Sequence, residues 1–150
     1  MSMRRIRTFR AMQRVARVQE AEAMLELALA VSEEHAQEEV VDAATERVNV
    51  AQKVAGEIIR ESSTQIGRLV LMRELCDRLG ERVDHESASL SLLREVSADR
   101  AQKRSSLHHY RSRVEEAGEA AAMEDHASKA RSQAETAIQG WILNRYLGGL

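Results

Sequence analysis

The stretch RRIRTFRAMQRVARVQEAEAMLEL, residues 4–27, changes the sign of its charge near its middle. The six arginines from Arg4 to Arg17 come with no acid among them, and the nine acids from Glu20 to Glu46 come with no lysine or arginine. A block of one sign on a helix is stabilised by opposite charges on a neighbouring element. Where those charges lie in the sequence therefore decides how the chain folds.

The composition predicts an all-α protein. The 150 residues include no proline, seven glycines, one phenylalanine, one tryptophan and two tyrosines, and 31% of them are charged. Runs of β-branched and aromatic residues, which sheets need, are missing. The apolar content is mostly alanine, leucine and valine, which line a narrow seam better than they fill a thick core. An elongated helical fold is therefore expected.

Apolar residues follow helical spacing in two long series, separated by the polar stretch ESSTQIG at residues 61–67. Serine, threonine and glycine favour caps and turns over helix interiors, so this stretch is the predicted turn. The first series is Ala11, Val15, Val18, Leu25, Leu29, Ala36, Val40, Ala43 or Ala44, Ala51, Val54 and Ile58. The second is Leu69, Cys76, Leu79, Val83, Leu90, Leu93, Val96, Leu107, Val114, Ala117 and Ala121.

Charge selects this turn over its rival at Gly80. A turn near Ile66 makes residue i face residue 132 minus i, which lays each charge block against the opposite sign, whereas a turn at Gly80 opposes acids to acids. The basic block then faces Glu115, Glu116, Glu119, Glu124 and Asp125, and the first acids face Arg100, Lys103, Arg104 and Arg111. The same rule pairs Val18 with Val114, Leu25 with Leu107, Val40 with Leu92 or Leu93, and Val54 with Leu79.

The predicted fold is a long two-helix antiparallel coiled-coil hairpin. The first helix is expected at residues 4–61, the turn at 62–67 and the second helix at 68–139, followed by an apolar tail at 140–150. Two alternatives stay open for this tail: an exposed contact surface, or a short C-terminal helix after Gly140 that folds back onto the hairpin. Its apolar residues, with those just before it, are Ile138, Trp141, Ile142, Leu143, Tyr146, Leu147 and Leu150.

Catalytic, metal and cofactor motifs are absent from the sequence. No histidine has a glutamate three residues before it, as helical di-iron sites require, and one cysteine gives no zinc pattern. Phosphate-binding loops and nucleophile elbows are also missing. We therefore expect no enzymatic activity, no cofactor, no metal and no small-molecule substrate, and a buried structural role for Cys76. No apolar run approaches a membrane span, which favours a cytoplasmic protein. An arginine-rich start is also typical of a mitochondrial transit peptide, but the register needs it in the fold.

A proline-free chain of this length, with a polar turn before its midpoint and both ends of the hairpin together, resembles the central stalk family of type III secretion systems. This family includes the flagellar FliJ-type and the injectisome YscO/HrpO-type proteins. The resemblance rests on length, architecture and composition over the whole chain. It implies a bacterial cytoplasmic protein beside the inner-membrane secretion apparatus, which inserts into a hexameric export ATPase, activates it and couples it to the export gate. Secretion chaperones are further partners in this family.

The resemblance also assigns residues to the two ends of the hairpin by position alone. Arg5, Phe9, Arg10, Trp141 and Tyr146 belong to the ATPase-binding end. Arg68, Leu69 and Met72, just beyond the turn, belong to the export-gate end.

Two other functions compete with this reading. A homo-oligomeric coiled-coil scaffold needs a second apolar face on each helix, which Leu27, Val31, Val41, Val50, Ile59, Val70 and Leu71 would supply. A nucleic-acid binder would use the arginine block as a basic arm, with an affinity that falls steeply with salt. It ranks last because the facing acids would neutralise these arginines.

Overall fold

The computed structural model describes residues 2–61 and 65–148, which form two α-helices packed against each other in a hairpin. Helix α1 is Ser2–Arg60 and helix α2 is Ile66–Leu147. Contacts join rising residue numbers in α1 to falling numbers in α2, so the helices are antiparallel. No strand occurs in the described residues. The predicted all-α helical hairpin is confirmed.

The turn is shorter than the predicted span of 62–67. Helix α1 ends at Arg60, and the amide of Glu61 donates to the carbonyl oxygen of Ile58 over 3.2 Å. Helix α2 begins at Ile66, with the carbonyl oxygen of Gln65 accepting from the amides of Arg68 and Leu69. Residues 66 and 67 therefore belong to α2, and residues 62–64 lie outside the described residues.

Helix α2 continues through Gly140 to Leu147. A glycine inside a helix costs only about 1 kcal/mol relative to alanine, and the apolar residues around it keep helical spacing, so the helix has no reason to stop there. The predicted end of the second helix at residue 139 is therefore wrong. Residues 140–147 continue α2 and do not form a separate helix that folds back onto the hairpin. Leu150 lies outside the described residues.

The helix contacts divide the chain into two units. One unit comprises Met1–Glu22 with Ser105–Leu150, and the other comprises Ala23–Arg104. The buried apolar residues of the first unit are Ala16, Val114 and Ala121. Those of the second unit are Ala23, Ala30, Ala44, Ala51, Ile58 and Leu90.

The seam of α1 follows a strict seven-residue repeat. Its buried apolar residues are spaced by seven or fourteen, and half-buried Gln37 occupies the position that the longer step skips. A second half-buried or buried row lies three residues before each member of the first, as in the a and d positions of a coiled coil. The first row is Phe9, Ala16, Ala23, Ala30, Gln37, Ala44, Ala51 and Ile58. The second is Ile6, Gln13, Glu20, Leu27, Glu34, Val41, Val48 and Ala55.

The predicted apolar stripe of α1 is wrong over most of its length. Leu25 and Leu29 expose 67% and 66% of their surface. Alanines take the seam instead, because a small side chain lets two helix axes approach closely. The predicted stripe of α2 is largely right, since only Val96 and Ala117 of its members are exposed, although Cys76 is half-buried rather than buried. The other exposed members of the α1 stripe are Ala11, Val15, Val18, Ala36, Val40, Ala43 and Val54.

The register differs from the predicted rule by about five residues. A Cβ built on Gly118 would lie 3.6 Å from the Cβ of Phe9, so the two residues share a seam layer and their numbers add to 127 rather than 132. The apolar pairs predicted for Val18, Leu25, Val40 and Val54 are wrong, because these four side chains are exposed. The predicted register assumes a turn centred near Ile66, whereas α1 ends at Arg60 and α2 already begins at Ile66.

Ion pairs on the two flanks of the seam confirm the predicted opposition of the charge blocks. On one flank the paired residue numbers add to 132, as for Arg17 with Glu115 at 3.2 Å and Glu38 with Arg94 at 3.2 Å. On the other flank they add to 129. The pairs there are Arg5 with Glu124 at 3.3 Å, Glu26 with Lys103 at 3.1 Å, and Glu61 with Arg68 at 3.9 Å.

Buried polar residues interrupt the apolar seam in each unit. In the first unit, Glu20 is 5% exposed, and its carboxylate accepts a hydrogen bond from Nδ1 of His108 over 2.8 Å. The same carboxylate lies 2.8 Å from Nε of Arg111, in an ion pair whose geometry is not that of a hydrogen bond. In the second, Nε2 of Gln37 donates to the carboxylate of Glu86 over 2.7 Å and to its carbonyl oxygen over 3.1 Å. Such layers favour one register, because a slipped seam leaves these groups without partners.

Replacing Ala30 with leucine should lower the free energy of unfolding by about 1–3 kcal/mol, because added methylenes do not fit a seam packed around alanine. The neighbouring change Leu29→Ala should alter it by no more than about 0.5 kcal/mol, since Leu29 is exposed. Urea unfolding followed by circular dichroism measures both. A cost of about 2–5 kcal/mol for Leu29→Ala would instead place Leu29 in the core.

The pKa of Glu26 is lowered from 4.5, chiefly by the hydrogen bond and charge of Lys103. Desolvation opposes this shift, and Arg100 adds a smaller lowering effect. A lowered folded pKa stabilises the protein above the unfolded pKa, and this stability is lost as the pH falls through the folded value. Because Lys103 is the main cause of the lowered pKa, Lys103→Gln should raise the pKa of Glu26 towards 4.5 in a carboxyl-detected NMR titration. Arg104→Gln is the control, and equal pKa values in the two variants would contradict this assignment.

Candidate functional site

The beginning of α1 presents a positive surface that the fold only partly neutralises. Arg5 and Arg17 form ion pairs with acids of α2. The remaining four arginines of the block are exposed and form no ion pair within residues 2–61 and 65–148. The argument that facing acids would neutralise the block therefore holds for two of its six members. The four are Arg4, Arg7, Arg10 and Arg14.

Phe9, which the sequence assigns to the same end, is part of the seam. Its ring is half-buried, its Cβ faces Gly118, and the guanidinium carbon of Arg5 lies 6.0 Å from the ring centre. This distance is at the outer limit of a cation–π contact. Of the three α1 residues assigned to this end, Arg10 is the one that is exposed and forms no ion pair in the described chain.

Two recesses flank Ile6, one on each side of the seam. The recess of about 620 Å³ is bordered by Arg4, Arg5 and Thr8 of α1 and by Glu124 and Ser128 of α2. The recess of about 390 Å³ is bordered by Arg7 and Arg10, and across the seam Lys129 lies 2.7 Å from the carboxylate of Asp125. This end of α1 thus combines apolar floors with basic rims.

The end of α2 is an exposed apolar and aromatic helix. Every described side chain from His126 onward is exposed, and Trp141 and Tyr146 expose 60% and 78% of their surface. The guanidinium of Arg145 lies 5.0 Å from the ring centre of Trp141, which holds the indole against its own helix. Of the two alternatives for the tail, an exposed surface is what the described residues form. The other large apolar side chains there are Ile138, Ile142, Leu143 and Leu147.

The structure does not bring Trp141 and Tyr146 against Arg5 or Phe9. Glu124, the partner of Arg5, precedes Trp141 by 17 residues, or about 25 Å along α2. The five residues assigned to this end therefore form two separate surfaces of the same unit. Three further exposed arginines of this surface were not predicted, although the charge run contains them: Arg4, Arg7 and Arg14.

The residues assigned to the turn end belong to the other unit. Arg68 forms a 3.9 Å ion pair with Glu61 across the turn. Leu69 and Met72 are half-buried, so each exposes only part of its apolar surface. Met72 also borders a groove of about 460 Å³, which sequence reasoning missed because its members lie on both helices. The groove is lined by Glu46, Arg47, Val50, Ala51, Val54, Met72, Leu75 and Leu79.

The described residues contain neither a candidate metal site nor a candidate membrane span. No group of three or more histidine, cysteine, aspartate or glutamate side chains there is placed to hold a metal ion. Neither described helix contains a segment long and apolar enough to cross a bilayer. No protein-family model, curated protein or solved structure matches the chain.

Proposed function

We propose that the chain is the central stalk of a type III secretion apparatus, which inserts into the hexameric export ATPase, activates it and couples it to the export gate. The observation that carries this proposal is the pair of surfaces in one unit of the antiparallel hairpin. The arginines of α1 that form no ion pair in the described chain and the exposed aromatic end of α2 lie on continuous helices.

An ATPase pore fits these surfaces for two reasons. A hexameric ring contacts an inserted helix from several sides, and the apolar residues at the start of α1 recur every three residues, so they wind round the helix. Only Ile6 and Phe9 of this series are half-buried, while its other described members remain exposed. The partner would thus contact Met3, Met12, Val15 and Val18 as well as the arginines.

Contacts of this kind concentrate binding energy in a few large side chains. Tryptophan, tyrosine and arginine dominate the energetics of protein interfaces, because they bury much area at a small entropic cost. Trp141, Tyr146 and Arg10 are therefore the residues that we assign to ATPase contact. Arg68, Leu69 and Met72 remain the proposed contacts for the cytoplasmic ring of the export gate, and secretion chaperones are proposed as further partners.

Replacing both Trp141 and Tyr146 with alanine should lower the stimulation of the export ATPase encoded in the same genome at least tenfold. The helicity of the variant should be unchanged. Both side chains are exposed, so their loss removes contact area without opening the seam. Phosphate release measures stimulation, and circular dichroism measures helicity. The matched control is Leu25→Ala with Leu29→Ala, which removes exposed apolar area elsewhere. Full stimulation by the Trp141 and Tyr146 variant would remove these residues from the interface.

A homo-oligomeric scaffold is the second candidate, and one observation favours it. Val15, Val18, Leu25 and Leu29 recur at helical spacing and are exposed, which is the second apolar face that such a bundle needs. If the scaffold is correct, light scattering should give a dimer or tetramer that Leu25→Glu dissociates. A stable 16.8 kDa monomer at micromolar concentration would exclude the homo-oligomeric scaffold and leave the stalk as the remaining candidate of the two.

A further inference from the structure

The two flanks of the seam pair charged residues in a regular way. On each flank, the numbers of facing residues add to a constant, 132 or 129. Five ion pairs lie at such facing positions, namely Arg17–Glu115, Glu38–Arg94, Arg5–Glu124, Glu26–Lys103 and Glu61–Arg68.

One position breaks this pattern. The numbers of Arg47 and Arg82 also add to 129, so the flank rule places two arginines opposite each other. Neither guanidinium forms an ion pair within the described residues. Arg78 precedes Arg82 by four residues on the same helix face and adds a third positive charge. Like charges in these positions destabilise a helix pair, so the hairpin gains nothing from them.

The apolar groove described above lies beside this break. Val50, Val54 and Leu75 line it and expose 52%, 40% and 45% of their surface, and Met72 and Leu79 lie beneath them, half-buried. Arg47 borders the groove, as does Glu46, its only acidic lining residue. The long axis follows two helices, so the shape suits a third helix laid along them. The floor is apolar, and the flank rule places Arg82 opposite Arg47 beside it.

We propose that this groove binds an amphipathic helix of a partner protein that carries acidic residues beside its apolar face. The apolar side chains of that helix would cover Val50, Val54 and Leu75, and its carboxylates would neutralise Arg47 and Arg82. Nucleic acid would neutralise the arginines but would leave the apolar floor uncovered. A neutral apolar helix would cover the floor but would leave the charges of the two arginines uncompensated. Met72 lines the groove and is also one of the proposed export-gate contacts. Binding at the groove nevertheless requires no ATPase, so it can be tested separately from ATPase stimulation.

The test uses the full chain and two synthetic peptides of 20 residues. Both carry leucine at positions i, i+3, i+4, i+7 and i+11 in an alanine background. One carries glutamate on both sides of the leucine face, and the other carries lysine at the same positions. Fluorescence anisotropy of labelled peptides should show saturable binding of the acidic peptide, with a Kd of about 10–100 μM, and no saturation by the basic peptide.

Arg47→Glu should weaken binding of the acidic peptide at least tenfold. It should also raise the melting temperature by about 1–3 °C, because the new carboxylate would face Arg82 as an opposite charge. Arg73→Glu is the matched control, since it makes the same change of charge on the other flank of α2 and should leave the Kd unchanged. A gain in stability together with a loss of binding separates this site from a merely structural position.

Three results would overturn the proposal. The first is no saturable binding of the acidic peptide by a chain whose circular dichroism shows it to be folded. The second is equal affinity for the acidic and basic peptides, which would mean that only the apolar floor contributes. The third is an equal loss of affinity in Arg47→Glu and Arg73→Glu, which would reduce the effect to net charge.

Discussion

The close approach of α1 and α2 through alanine is the constraint on which the rest of the structure depends. With Ala16, Ala23, Ala30, Ala44 and Ala51 in the seam, α1 buries less apolar area there than leucine side chains would supply. Apolar burial alone therefore distinguishes poorly between neighbouring registers. Something else has to select one alignment of two helices whose seams repeat every seven residues.

Charge and buried polar groups make that selection. The opposed blocks at the start of α1 and near residue 120 of α2 attract in one antiparallel alignment and repel in others, although each exposed pair contributes only about 0.2–1 kcal/mol. Glu20 restricts the register more strongly than an exposed pair does, because a slip of one heptad would leave its buried carboxylate without His108 and Arg111. The same residues that add little stability thus restrict the hairpin to one register.

Sequence reasoning found this alignment to within about five residues for that reason. The charge blocks are long, so facing acids and bases can be matched without knowing which side chains are buried. The α1 seam was missed because large residues such as Leu25 and Leu29 have a stronger periodic signal than alanine, yet they lie on the outer surface. The groove at Met72 was missed because it depends on the register of two helices. The exposed end of α2 was one of two stated alternatives, since helical spacing does not reveal whether another element covers a face.

The register of this hairpin depends on pairs of opposite charges across the seam. A charged residue that has no such partner therefore needs another explanation. On both flanks, ion pairs join residues that the register places opposite each other. Arg47 opposite Arg82 is a departure at a single layer, and it coincides with valine and leucine side chains that α1 and α2 leave uncovered. The free arginines near Arg10 are a second departure. Acids and apolar surface from another molecule would neutralise both groups of arginines, which is why we propose partner contacts at these two places.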